Sequence, residues 1–214
     1  EVSAEVPVPE ASALAMRWFE AKQQAVAAEV ADLFSKYRLS EALMAVYKLF
    51  WDEFSAWYLE MIKPAYGQPI SKEVYDATIG FFDTLLHLLH PFMPFITEEL
   101  WQHIAERKEG ESLMVSPLVV SGMADEELLQ QFEVVKEIIA NIRAIRLQKN
   151  IAQKEALSLQ VVGQNPVAAF DSVIMKMCNL SAIQTVSAKE EGAASFMVGT
   201  TEYAVPLGNL IDVE

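Results

Sequence analysis

One cysteine, eight glycines, nine prolines and three histidines are all that 214 residues contain of those types. Each shortage closes off a class of protein. A lone thiol, Cys178, cannot form an internal disulfide, which excludes the stapled frameworks of small secreted domains and fits a reducing, cytoplasmic compartment. So little Gly and Pro excludes collagen-like and low-complexity chains. No apolar run comes near the roughly 20 residues needed to span a bilayer. The first residues lack the basic, then apolar, then small-residue order of a secretory signal. Positive charge is scarce as well: 16 Lys and Arg against 30 Asp and Glu leave a net charge of −14. Such a chain repels phosphate at long range. Attraction to nucleic acid then rests on a local basic patch, acting within about a Debye length, roughly 8 Å at physiological salt. Glycine-rich phosphate loops are missing, and so is a Gly-x-Ser-x-Gly nucleophile turn. The chain opens on Glu1 rather than Met, as expected of an excised piece or a processed product.

What is present is a packed chain, 52% hydrophobic, long enough for one sizeable domain or two small ones. Residues 1–9 read as an extended lead-in. A helix is predicted from about Glu10 to Tyr37, with Val26, Val30, Leu33 and Tyr37 on one face. Ser40 suits the N-cap of a second helix, about Glu41 to Lys63, stopped by Pro64. Its seam is Leu43, Val46, Phe50, Phe54, Trp57 and Met61. Tyr47, Trp51 and Tyr58 widen the apolar arc, which points to a central helix packed on several neighbours. After a turn from Pro64 to Ile70, Ser71 caps a third helix with Val74, Phe81, Leu85 and Leu88 in register, ended by Pro91. Pro94 opens a fourth, to about Arg107. The pair of prolines makes a rigid apolar corner, because Pro lacks an N–H and pushes the residue before it out of helical geometry. A loop from Glu109 to Gly122 holds a short extended piece near Met114–Val115. Asp125 caps a fifth helix reaching about Leu147, with Leu128, Val135, Ile138, Ile142 and Ile145 inward. Five helices with short connections predict an antiparallel helical bundle over residues 10–150.

After about Asn150 the period changes. Leu157, Leu159 and Val161 alternate with polar residues up to Gly163, as in a strand. Asn165-Pro166 reads as a cap and first helical position, continued by Val167, Phe170, Ile174 and Met177. Ile183–Val186 reads as a second strand, and Phe196 to Val205 as a hairpin through Gly199-Thr200-Thr201. Residues 151–214 therefore form a small α+β unit, and the fold class is mainly α.

Few constellations bear chemistry. His87 and His90 are three apart, and His103 follows on the next helix near Glu98 and Glu99. One hydrogen bond each beside the apolar corner accounts for them better than a metal, since no further ligand stands at a metal spacing. Adjacent carboxylates such as Asp52-Glu53, Glu98-Glu99 and Glu190-Glu191 diverge by about 100° on a helix and read as solvated faces. The row Phe50, Trp51, Phe54, Trp57, Tyr58 has core spacing, with Tyr58 a candidate for an exposed rim. The basic segment decides most. From Lys136 to Lys154 stand Lys136, Arg143, Arg146, Lys149 and Lys154 against one acid, Glu137. Arg143 and Arg146 lie about 60° apart around the helix, flanking the isoleucine seam. Their planar forks suit phosphate and base edges. A smaller cluster, Lys36-Tyr37-Arg38, closes the first helix, where cations also offset the helix dipole.

The corner itself, Leu88-Leu-His-Pro-Phe-Met-Pro-Phe-Ile-Thr-Glu-Glu-Leu-Trp101, resembles the hallmark of the anticodon-binding helical domain of class I aminoacyl-tRNA synthetases for branched aliphatic amino acids. Tyr37-Arg-Leu-Ser-Glu-Ala42 and Tyr47-Lys-Leu-Phe-Trp-Asp-Glu-Phe-Ser-Ala-Trp-Tyr-Leu-Glu60 are similar to the valine-specific branch. So is Ile142-Arg-Ala-Ile-Arg146 with Asn150. The family pattern has Pro and Ser where Ala152-Gln153 stands. Tyr203 to Glu214 resembles the lead-in to that branch's C-terminal coiled-coil arm, which is then missing here. The resemblance covers nearly all of residues 17–214. It implies a domain that binds the anticodon stem-loop of a valine tRNA, beside the catalytic domain of the same enzyme, with neither DNA nor membrane as partner. The tRNA-binding residues it suggests are Lys36, Tyr37, Arg38, Arg143, Arg146, Lys149 and Asn150. The parent enzyme uses ATP. The nucleotide motifs His-Ile-Gly-His and Lys-Met-Ser-Lys-Ser are not in this chain, so the piece alone is expected to hold no cofactor, no metal and no catalytic residue. The isoleucine-specific branch and a helical protein–protein module are the alternatives.

Overall fold

The computed structural model describes residues 1–208; Asn209–Glu214, the last part of the segment similar to an arm lead-in, lie outside the described residues. The fold is a helical bundle followed by a small α+β unit, as the periodicity predicts. The chain divides into two compact units, Glu1–Glu126 and the residues from Glu127 onward. The fifth long helix thus groups with the sheet, whereas the sequence reading divides the chain near residue 150.

In the first unit, α1 spans Glu10–Ser35. The next helix, α2, is α-helical over Leu39–Lys48, π-helical over Leu49–Tyr58 and α-helical again over Leu59–Ile62. Then come α3 (Lys72–Leu89) and α4 (Pro94–Ile104). Two short strands, β1 (Val2–Ser3) and β2 (Ile70–Ser71), pair in parallel. This pairing lies in stretches that read only as lead-in and turn.

The expected seam holds at Val46, Phe54 and Met61, which are buried, but Leu43 is exposed and Phe50 and Trp57 are half-buried, and the π-helical stretch accounts for the last two. Its i→i+5 bonding widens the turn, so burial steps from Leu49 to Phe54, then to Tyr58 and Ile62, rather than along Phe50 and Trp57. Tyr58, expected at the rim, is fully buried, and its hydroxyl pairs with Thr78 Oγ1 at 2.8 Å. Burial pushes the phenol up to about 12. Tyr47 and Trp51, expected to widen the buried arc, are exposed instead. The centre of this unit is Phe19 on α1, whose ring lies 5.3 Å from Phe54, 5.1 Å from Tyr58 and 5.1 Å from Phe81. Buried Gln23 donates to the Phe81 carbonyl at 3.0 Å and ties α1 to α3.

The corner forms where the prolines put it. Thr97, fully buried in the first turn of α4, donates to the Met93 carbonyl at 2.8 Å and meets His90 Nδ1 at 2.7 Å. One end of each neighbouring helix is thereby joined through a single hydroxyl. Glu98 does more than solvate a helix face. Its carboxylate accepts from Ser112 Oγ at 2.9 Å and from the Leu113 N–H at 3.0 Å, pinning the following loop to α4. That loop makes a 3₁₀ turn over Leu113–Val115 where an extended piece was expected. Ser71 occupies the cap position of α3 without a side-chain cap bond. Ser40 lies inside α2, which begins at Leu39.

In the second unit, α5 spans Glu126–Gln148, with Leu128, Val135, Ile138, Ile142 and Ile145 buried as the spacing predicts. After β3 (Leu157–Val162) come a 3₁₀ turn, Ala168–Phe170, and α6 (Asp171–Cys178). Then follow β4 (Leu180–Val186), β5 (Ala194–Val198) and β6 (Thr201–Val205). The sheet order is β4-β3-β6-β5, with β3 and β4 parallel and the other pairs antiparallel. A parallel neighbour needs a crossover, and α6 supplies it. The β5–β6 hairpin turns on Gly199, whose φ of 58° a side chain would oppose.

Two outcomes test this packing. Phe19→Ala, which empties the centre of the first unit, lowers unfolding free energy by about 3–5 kcal/mol in urea titration. Glu98 is held below the usual glutamate range by its hydrogen bonds, with Gln102 first and then Ser112 and the loop amides. Its stabilising contribution is therefore present above the unfolded-state pKa of about 4.3, and it disappears as pH falls through the lower folded value. The stability difference between the wild type and Glu98→Gln is accordingly full at pH 7 and closes below about pH 4.

Candidate nucleic-acid interface

The basic end of α5 is built by the way that helix stops. The Lys149 N–H bonds the Ile145 carbonyl at 2.9 Å, the Asn150 N–H the Leu147 carbonyl at 3.3 Å, and the Ile151 N–H the Arg146 carbonyl at 2.9 Å. Asn150 sits at φ 53°. These bonds, with a left-handed residue after the last turn, make a Schellman-type ending. Asn tolerates that conformation better than most residues. Arg143, Lys149 and Asn150 are exposed and stand together on this helix end, and Lys154 is exposed on the turn toward β3.

Arg146 is the correction. It is 2% exposed. Its Nη1 donates to the Ala152 carbonyl at 3.0 Å, and its Nη2 to the carbonyls of Cys178 at 2.7 Å and Asn179 at 3.2 Å. The fork chosen for its fit to phosphate is spent on peptide carbonyls. Spacing placed Arg146 at the flank of the isoleucine seam, and the turn after α5 and the end of α6 cover that flank. Burial pulls the guanidinium pKa down, against the opposing charge of Glu155. A guanidinium starts so high that it stays charged. The carbonyl end of α6, the negative end of its dipole, supplies the compensating partial charge. Beside it, burial pushes the Cys178 thiol up to about 11, so it is an inert, protonated group.

Lys136 also leaves the basic patch. Its ammonium lies 3.2 Å from Glu133, just outside the window that looked almost free of acid, and stands over the Phe132 ring.

The second candidate lies in the first unit, where α1 ends in the same manner. The Arg38 N–H bonds the Leu33 carbonyl at 2.9 Å and the Tyr37 N–H the Phe34 carbonyl at 3.0 Å. Tyr37, expected on the buried face, is 89% exposed with φ 58°. A left-handed L-residue other than Gly or Asn costs roughly 1–2 kcal/mol. The flanking cations are answered locally. Lys36 Nζ lies 2.6 Å from Asp32 Oδ2, and the Arg38 guanidinium makes a two-pronged pair with Glu41, which raises its pKa. Such solvent-exposed pairs are weak. The long-range field of the cluster is nonetheless cancelled. Tyr47 and Trp51 add exposed aromatic surface on α2. The sequence pattern hid Trp51, which lies in the π-helical stretch, while Tyr47 precedes it in the α-helical part.

The histidines are engaged in hydrogen bonds. His87 contacts the Asp83 carbonyl and Ser116 Oγ, His90 contacts Thr97, and His103 contacts the Glu99 carbonyl. No helix among the described residues is long and apolar enough to cross a membrane.

Residues 16–162 match the family described as the anticodon-binding domain of tRNA ligase. The chain belongs to that family. It is 71% identical over 98% of its length to a valine–tRNA ligase of Bacteroides thetaiotaomicron, 69% over 99% to that of Phocaeicola vulgatus, and 58% over 96% to that of Porphyromonas gingivalis. It spans about a quarter of those proteins, covering 24%, 24% and 23% of them. In this anticodon-binding domain the exposed candidates fall into two groups: Arg143, Lys149 and Asn150 in the second unit, and Lys36, Tyr37 and Arg38 in the first.

The strain at Tyr37 has a measurable consequence. Tyr37→Gly leaves thermal and urea stability no lower than wild type, and up to about 1 kcal/mol higher, because Gly adopts the left-handed ending freely. A loss of stability in that variant would mean that the tyrosine ring is needed for packing.

Proposed function

We propose that this domain binds the anticodon stem-loop of a valine-accepting tRNA, within a longer valine–tRNA ligase that uses ATP to join valine to that tRNA in the cytoplasm. Residues 10–150 are the RNA-binding part and 151–214 lead toward a coiled-coil arm. The family match and the relatives' names support the RNA class. The observation that carries the site is the end of α5, where Arg143 and Lys149 stand exposed in a chain whose overall charge repels phosphate. Twenty of the thirty carboxylates precede residue 127, so this helix end lies in the less acidic part of the sequence. Asn150 presents an amide able to donate and accept beside those cations. In the first unit, Tyr37 offers a ring face for a base. Stacking on an aromatic is worth about 1–3 kcal/mol per base. Lys36 and Arg38 exchange their carboxylate partners for phosphate when RNA arrives.

The test is titration of the 214-residue chain with anticodon stem-loops of valine and isoleucine tRNAs over a range of salt. The valine stem-loop binds more tightly, and Arg143→Gln with Lys149→Gln weakens both. Each cation withdrawn from a phosphate flattens the log–log salt slope by about 0.7–0.9. Tyr37→Gly lowers affinity without changing that slope, since a stacked ring releases no counterions. Equal slopes in the double variant and wild type would remove the α5 end from the interface. Preference for the isoleucine stem-loop would reassign the specificity. No binding at low salt would return the chain to a protein–protein module.

A further inference from the structure

The turn between α5 and β3 is tied at two successive carbonyls. Arg146 Nη1 holds Ala152 at 3.0 Å, and Asn179 Nδ2 holds Gln153 at 2.9 Å. Arg146 and Asn179 are themselves joined, because Arg146 Nη2 donates to the Asn179 and Cys178 carbonyls. Asn179 lies at φ 51°, the left-handed ending of α6. Two side chains from two helix ends thus hold the middle of a segment otherwise fixed by the backbone bonds that end α5 and by the Glu155 N–H to the Ala152 carbonyl at 3.1 Å. Of residues 149–155 only Ile151 is buried, while Lys149, Asn150 and Lys154 are exposed. A buried cation costs free energy unless its donors are met. Arg146 Nε has no partner among the described residues, so an apolar side chain at this position would avoid that cost. What the fork provides that an apolar residue does not is a fixed distance between the turn and the end of α6.

We infer that Arg146 is a positioning residue, which with Asn179 holds the 149–155 turn in one conformation and so sets the arrangement of Lys149, Asn150 and Lys154 before RNA arrives. This rests on the reading that the α5 end meets RNA. A turn ordered in advance does not lose that freedom on binding. An ammonium cannot replace the fork, since a single nitrogen does not reach Ala152 and the end of α6 together. Arg146 and Asn179 act through the turn, whereas Arg143 and Lys149 act on the RNA.

The test uses five variants of the 214-residue chain: Arg146→Lys, Arg146→Met, Asn179→Gly, Arg143→Gln and Lys149→Gln. Asn179→Gly is the decisive one if Arg146→Lys fails to fold. Asn179 is exposed and glycine keeps its left-handed backbone, so only the tie to Gln153 is lost. Arg146→Lys and Asn179→Gly weaken anticodon stem-loop binding about three- to tenfold. The salt slope stays unchanged, because every cation that meets a phosphate is kept. Amide exchange across 150–155 speeds up in both. Lys149→Gln instead flattens the slope. Wild-type affinity in Asn179→Gly and Arg146→Lys, with a flattened slope in Lys149→Gln, would overturn the positioning role and leave the interface standing. A full unit of slope lost in folded Arg146→Met but kept in Arg146→Lys would overturn it in favour of direct phosphate contact. Wild-type affinity and slope in Arg143→Gln and Lys149→Gln would overturn the interface and this role with it.

Discussion

A cation taken out of water must be answered by dipoles or by an opposite charge, and the second unit of this domain is arranged around one such answer. The Arg146 guanidinium meets three peptide carbonyls and no carboxylate. Carbonyls at a helix end are unsatisfied by the helix itself, so the end of α6 is a natural acceptor for a buried fork. That one interaction joins the stop of α5, the turn that follows it and the stop of α6. Two left-handed asparagines, Asn150 and Asn179, end the two helices at that place. Asparagine adopts this conformation at less cost than other non-glycine residues, and its amide remains free to bond. At Asn179 the amide does so, to Gln153.

The first unit solves a different problem with aromatic rings. Phe19 is the point where α1, α2 and α3 meet, and the π-helical stretch of α2 delivers Phe54 and Tyr58 to it. The same widened register leaves Trp51 outside. One local change in helical geometry therefore sets both what fills the core and what faces solvent. The proline corner adds a second fixed point through Thr97 and His90, and Glu98 fastens the loop beyond it.

Much of this was legible in the residues. The isoleucine seam of α5, the two prolines at the corner, the alternation of β3 and the glycine of the β5–β6 hairpin each follow from a period or a backbone restriction written locally. The π-helical register was not legible, because a five-residue step between Leu49 and Phe54 is not written in a pattern that also fits α spacing. Arg146 was misread for a related reason. Local charge and helical angle placed it correctly on the helix, but the distant Cys178–Asn179 segment, over 30 residues on, covers it together with the turn after α5. Tyr37 was misread because the last residue of an apolar stripe looks alike whether the helix continues or stops. What the candidate site kept from the sequence is its exposed members. What it lost is the cation whose neighbours lie far along the chain.

Hydrogen–deuterium exchange of the 214-residue chain, with and without the anticodon stem-loop of a valine tRNA, tests the central claim most directly. The account predicts protection at the end of α5 and through the 149–155 turn on adding RNA. The amide hydrogens of the α6–β4 segment should exchange slowly in the free chain and be unchanged by RNA. Protection confined to other surfaces, with the 149–155 turn exchanging alike in the presence and absence of RNA, would contradict it.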